Sequence, residues 1–198
     1  MKNKLLFLFA VIGLWTVQTV SAQKIKVISG STDVIKGVAK MNVTFDYSQM
    51  SVGKFDQEAD YIAKKKAEYN KKEAGKGEAW EKDWVGDRTE RYAPQFKELF
   101  NKSSDVLKVG DYPSEKYTMI VKTTRTEPGY NIAISRKNAE IAGEIQVVET
   151  ANPGNIVLKL SFDKALGRSF GGYDYDTGFR IQEAYADLGK ALGKYMSK

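Results

Sequence analysis

The chain has 198 residues, of which 42% are hydrophobic and 28% charged, with net charge +6 and neither cysteine nor histidine. That length and apolar content fit one globular domain and exclude a disordered chain. Lacking cysteine and histidine, the sequence closes off disulfides, thiolate nucleophiles, Cys- or His-ligated metal sites and any Ser-His-Asp triad.

The amino terminus carries Lys2 and Lys4, an apolar run from Leu5 to Trp15, and a polar stretch closing on Val20-Ser21-Ala22. A basic start, a short apolar core and small residues at the end predict a signal peptide over residues 1–22, cleaved after Ala22. Thr16, Gln18 and Thr19 interrupt the run before it reaches the roughly 20 apolar residues of a membrane span. The expected mature domain is 23–198, without a transmembrane span. Export also argues against a nucleic-acid partner, and the leader takes two of the basic residues with it.

Lys24 to Ser29 alternates basic and apolar residues and predicts a short strand, broken by Gly30-Ser31-Thr32. Met41, Val43, Phe45 and Tyr47 alternate with Asn42, Thr44 and Asp46, predicting a second strand from Lys40 to Ser48 with one face wet. Phe55, Ala59, Ile62 and Ala63 then recur at helical spacing, so a helix is expected from Phe55 to Glu73, ending at Gly75. Trp80 and Trp84 follow, one helical turn apart, in the charged stretch Glu78 to Asp87. A second helix is expected from Asp87 to Asn101, starting or bending at Pro94.

Strand periodicity returns from Tyr117 to Thr123, before Glu127-Pro128-Gly129, and again from Ala139 to Thr150. Ala151 to Asn155 predicts a turn, and Ile156 to Phe162 a return strand, completing a hairpin. A Gly-, Tyr- and Asp-rich loop spans Gly167 to Gly178, and a last helix runs from Phe179 to Met196. The order β-β-α-α-β-β-β-α predicts a single α+β domain, a mixed and mostly antiparallel sheet with helices packed on one face.

The size, the leader ending near Ala22-Gln23, and the closing hairpin and helix between Tyr117 and Lys198 resemble small secreted proteins of unknown function from Bacteroides-type bacteria. The strand-helix-strand order also resembles the amino-terminal domain of TolB, a periplasmic assembly protein. These resemblances imply an envelope-associated accessory domain, periplasmic or secreted, and transfer no functional residue.

Two segments are candidates for ligand contact. Trp80 and Trp84 form either an exposed aromatic platform or ordinary packing. Tyr173, Asp174, Tyr175 and Asp176 set aromatic faces beside carboxylates, as a sugar or cation site requires, or else cap the last helix through Asp176 or Thr177. Asp174-x-Asp176-x-Gly178 starts like a calcium loop, but position 12 is Tyr185, so no metal site is assigned. Lys64 to Lys76 is a basic cluster interleaved with Glu68 and Glu73, the pattern of a solvated helix face. Ser51-Val-Gly-Lys54 and Ser161-Phe-Asp-Lys164 have the spacing S-x-x-K, but nothing in their surroundings argues for a buried dyad. Gly167-Arg-Ser-Phe-Gly171 has the spacing G-x-S-x-G, but no histidine exists to complete a triad, and no P-loop occurs. The reading is a non-enzymatic binding module without cofactor, contacting an envelope protein, with a glycan or small ligand as alternative and a carboxylate-based hydrolase third.

Overall fold

The computed structural model describes residues 24–132, 135–167 and 176–198. The leader expected over residues 1–22 lies outside them, as do Tyr173, Asp174 and Tyr175. The fold is α+β, a single domain. Its strands are β1 (Lys24–Gly30), β2 (Lys40–Asp46), β3 (Ser51–Val52), β4 (Lys108–Gly110), β5 (Tyr117–Glu127), β6 (Tyr130–Ile132), β7 (Ser135–Lys137), β8 (Ala139–Glu149) and β9 (Asn152–Gly167). The helices are α1 (Glu58–Asn70), α2 (Lys76–Asp87), α3 (Ala93–Ser103) and α4 (Thr177–Met196). No described helix is long and apolar enough to cross a membrane.

The main sheet has the order β1-β9-β8-β5-β2-β4, with β3 continuing the lane of β2 along β5. Pairing is antiparallel from β1 through β5, whereas β2 runs parallel to both β5 and β4. Alternation sorts the two faces. Met41, Val43, Met119, Val121, Ile145, Val147, Leu158 and Leu160 are buried beneath the helices. The opposite face carries Asp46, Lys122, Glu144 and Lys159, tied by ion pairs from Lys122 to Asp46 at 3.8 Å and from Lys159 to Glu144 at 2.9 Å. Helix α4 covers β8 and β9 and also packs against α3. There the missing side chains of Gly189 and Gly193 let the two backbones approach: a Cβ on Gly189 would lie 2.4 Å from the Phe96 carbonyl oxygen.

Three details depart from the sequence expectation. The helix expected from Asp87 to Asn101 is a π-type turn over Arg88–Tyr92 followed by α3, and a further helix, α2, runs into it from Lys76 to Asp87. Pro94 has no N–H to return to the carbonyl of Glu90. The wider turn absorbs this, and the Ala93 N–H reaches back five residues to the Arg88 oxygen. Next, Pro153 and Gly154 belong to strand β9 rather than to a turn, because Glu149 already pairs with Asn152. Proline is tolerated there because β1 stops opposite Leu158 and leaves that side of β9 open. Last, Ser135-Arg136-Lys137, which lies between the predicted strands, forms a short strand of its own, β7.

Candidate functional site

Beyond Glu127 the chain leaves the main sheet, and β6 and β7 pair only with each other. A two-stranded ribbon is marginal in water on its own, so its base must be held. Gly129 turns the chain at φ +63°, and a Cβ there would lie 2.4 Å from the Lys137 carbonyl oxygen. Arg180, 4% exposed at the start of α4, donates from Nε to the Pro128 carbonyl at 3.2 Å and from Nη2 to Thr177 Oγ1 at 3.0 Å. A buried guanidinium is costly unless its donors are met, so these bonds fix ribbon and helix together. Lys137 Nζ adds a 2.7 Å ion pair to Glu127.

On this anchored base Tyr130 and Ile132 share one face of the ribbon and stay 44% and 53% exposed. Their cross-strand partners are Lys137 and Ser135. The edges of the main sheet are less open to a partner. Edge strand β1 exposes Val27 and Ile28, but Lys26 punctuates it and a register shift falls at Ile28. Lysines and bulges are the usual devices that keep an edge from templating another strand. The opposite edge, β4, is three residues long.

A second feature lies where β2 ends and α1 begins. The carboxylate of Glu58, in the first turn of α1, accepts the Trp84 indole N–H at 2.6 Å and a guanidinium N–H of Arg88. Arg88 comes from the π-type turn, an irregularity that recurs at functional sites, and lies 4.5 Å over the Tyr47 ring. Behind them Tyr92 and Tyr185 stack at 5.1 Å, and the Tyr185 hydroxyl bonds Thr123 Oγ1 at 2.6 Å.

The hydroxyls of Tyr47 and Tyr92, by contrast, are buried without a well-formed hydrogen bond, although the Tyr185 phenol lies beside that of Tyr47. Each such group costs about 1–3 kcal/mol. Burial raises the pKa of all three phenols, Tyr185 to about 12, so they remain neutral hydrogen-bonding groups. Tyr47, Tyr92 and Tyr185 line a recess of about 10 Å³. In front of it opens a cleft of about 430 Å³, lined by Asp46, Ser48, Gln57, Glu58 and Arg88. Burial pushes the Asp46 carboxyl up, but hydrogen bonds from Ser48 and the charge of Lys122 outweigh it and hold the pKa below the ordinary value.

The sequence candidates fall elsewhere. Trp84 is 6% exposed and belongs to the core, so it presents no exposed platform. Trp80 is half-buried, stacked on Trp84 at 5.6 Å and on Tyr69 at 5.9 Å, and the two indoles form the seam between α1 and α2. Asp176 caps α4 by accepting the Phe179 N–H at 3.0 Å, and its other oxygen takes Arg91 at 2.6 Å. The basic cluster is a paired helix face, with Lys64 on Glu68 at 3.1 Å and Lys66 on Glu81 at 2.6 Å. Sequence reasoning missed Tyr130 and Ile132, although Pro-Gly followed by apolar alternation marks a hairpin. It also missed the cleft, since Tyr47, Glu58, Arg88 and Tyr92 come from three separate elements and share no motif.

No protein-family model and no curated protein matches the chain. Among solved structures the chain is similar to a PelC dodecamer from Paraburkholderia phytofirmans, at 9% identity and a TM-score of 0.38, covering 86% of this chain and 96% of that one. A second PelC dodecamer from the same organism, of a single-substitution variant, aligns at 10% identity and a TM-score of 0.34, covering 84% and 96%.

Proposed function

We propose that this chain is an exported accessory protein of the bacterial cell envelope that acts by binding a protein partner through the β6–β7 ribbon. The amino-terminal pattern of Lys2, Lys4, the apolar run and Val20-Ser21-Ala22 supports export. The observation that carries the partner reading is the pairing of Tyr130 and Ile132, exposed on one face of a ribbon whose base is held by buried Arg180. Exposed apolar side chains on a strand pair held at its base are the kind of anchor that binding surfaces use.

The test is site-specific photo-crosslinking from position 130 in cells, together with amino-terminal sequencing of the protein from the envelope fraction. Expected are a start at Gln23 and one discrete adduct. The adduct disappears when the cross-linker is moved to position 131 in a chain carrying Tyr130→Ser and Ile132→Ser, whose melting temperature is unchanged. A chain retained uncleaved in the cytosol overturns the export reading, and an adduct indifferent to the double substitution overturns the ribbon.

A further inference from the structure

Three observations meet at the end of β2. Tyr92 is 4% exposed and buries a hydroxyl without a partner, Tyr47 buries one whose neighbour is the Tyr185 phenol, and both residues line the recess. The recess holds about 10 Å³, room for one oxygen atom with its hydrogen and nothing larger. The cleft in front of it shares Tyr47, Glu58 and Arg88 as a common rim, and at about 430 Å³ has the size of a small-molecule site.

The lining selects the chemistry. Asp46 and Glu58 oppose an anion, and Arg88 opposes a cation. Ser48 and Gln57 both donate and accept. Carboxylate, guanidinium, amide and hydroxyl side by side suit a ligand that is uncharged and rich in groups able to donate and accept at once.

We propose that this cleft binds a neutral polyhydroxylated ligand, a saccharide unit, with one of its hydroxyls seated in the recess between Tyr47 and Tyr92. That hydroxyl gives the Tyr92 phenol the partner it lacks. Arg88, already fixed by Glu58 and the Tyr47 ring, donates to a neighbouring oxygen, and Asp46 and Gln57 take hydroxyls farther out. The site is separate from the ribbon and does not depend on it.

The test is saturation-transfer NMR and calorimetry on the purified protein with glucose, galactose, N-acetylglucosamine and their trisaccharides, against glucuronate and glucosamine as charged comparators. Expected is binding of at least one neutral saccharide and weaker binding of the charged sugars. Tyr92→Phe, which removes only the buried oxygen, lowers affinity about 3- to 15-fold, as loss of one neutral hydrogen bond does, at an equal or higher melting temperature. Gln57→Ala, at the open rim, weakens binding as well. The Tyr130→Ser, Ile132→Ser chain binds the saccharide as the unaltered protein does. Absence of binding to every neutral sugar overturns the proposal and leaves the recess as a site for water alone. Binding untouched by Tyr92→Phe, or equal binding of the charged sugars, overturns it too.

Discussion

The indole N–H of Trp84 and the carboxylate of Glu58 meet at 2.6 Å, and the same carboxylate oxygen receives Arg88. One oxygen thus joins α1, α2 and the π-type turn. Its side chain is 16% exposed and that of Arg88 20% exposed, so water screens the pair only in part. Replacing Glu58 by Leu strands two donors at once, and we expect a loss of about 2 kcal/mol in urea denaturation. In a double-mutant cycle Arg88→Leu should recover part of that loss. Strict additivity of the two substitutions would show that the pair does not couple.

Tyr92 and Tyr185 stack on each other, yet their hydroxyls differ in what they contribute. That of Tyr185 is bonded to buried Thr123, and that of Tyr92 is not bonded. Tyr185→Phe therefore leaves the Thr123 hydroxyl without its partner and should cost about 1–3 kcal/mol. Tyr92→Phe should cost nothing or gain up to about 1 kcal/mol in the ligand-free protein. Thermal unfolding of the two variants side by side decides the matter, and equal losses would contradict this account.

The contact of α3 with α4 depends on absent side chains. A Cβ on Gly189 would stand 2.4 Å from the Phe96 oxygen, and one on Gly193 2.6 Å from the Phe100 oxygen. Both neighbours are backbone atoms that cannot rotate away. Gly189→Ala should cost about 1–3 kcal/mol through overpacking, despite the better helix propensity of alanine. A melting temperature unchanged by Gly189→Ala would mean that the helices separate without penalty.

Acid should destabilise the fold partly through Asp176. Burial raises its pKa, but the bond from Arg91 and the N–H of Phe179 outweigh burial and hold it below the ordinary 3.8. Asp46 and Glu144 are lowered in the same way, by Ser48 and Lys122 in one case and by Lys159 in the other. A carboxyl depressed in the folded state contributes stability that is complete above its unfolded pKa and disappears as pH falls through the folded value. The melting temperature should therefore decline below about pH 4, and the decline should be shallower in Asp176→Asn. Asp87, raised by burial, has the opposite sign and offsets some of this loss. Calorimetric scans from neutral to acid pH test the slope, and an Asp176→Asn profile as steep as the original would exclude the contribution.

The parts of the fold readable in the sequence are those whose signal is local. Met41, Val43 and Phe45 alternate because one face of β2 is covered and the other wet, and Ile181, Leu188 and Leu192 repeat because α4 lies on the sheet along one stripe. Asp176 was readable as a cap because capping is a three-residue interaction. The strand through Pro153 was not, since proline there is accommodated by the length of β1, a strand far away in sequence. The cleft was hidden for the same reason: Tyr47 and Tyr92, far apart in sequence, acquire meaning only when both are found lining one recess. Trp80 and Trp84 show the converse. Their spacing was read correctly, but spacing alone does not say which side of a helix meets the neighbouring one.

The parallel register of β2 with β5 carries a kinetic consequence. Val43 pairs with Met119, so forming the centre of the sheet closes a loop on the order of 70 residues, an entropic cost that local contacts do not meet. The β8–β9 hairpin closes over a two-residue turn, and α3 stands close in sequence to β4 and β5. Such a chain assembles from its carboxyl-terminal half, with β2 docking late. Substitutions in β2 should accelerate unfolding more than they slow folding. The cleft at the end of β2 is then among the last parts of the molecule to exist during folding, and it takes shape only once β2 has docked against β5.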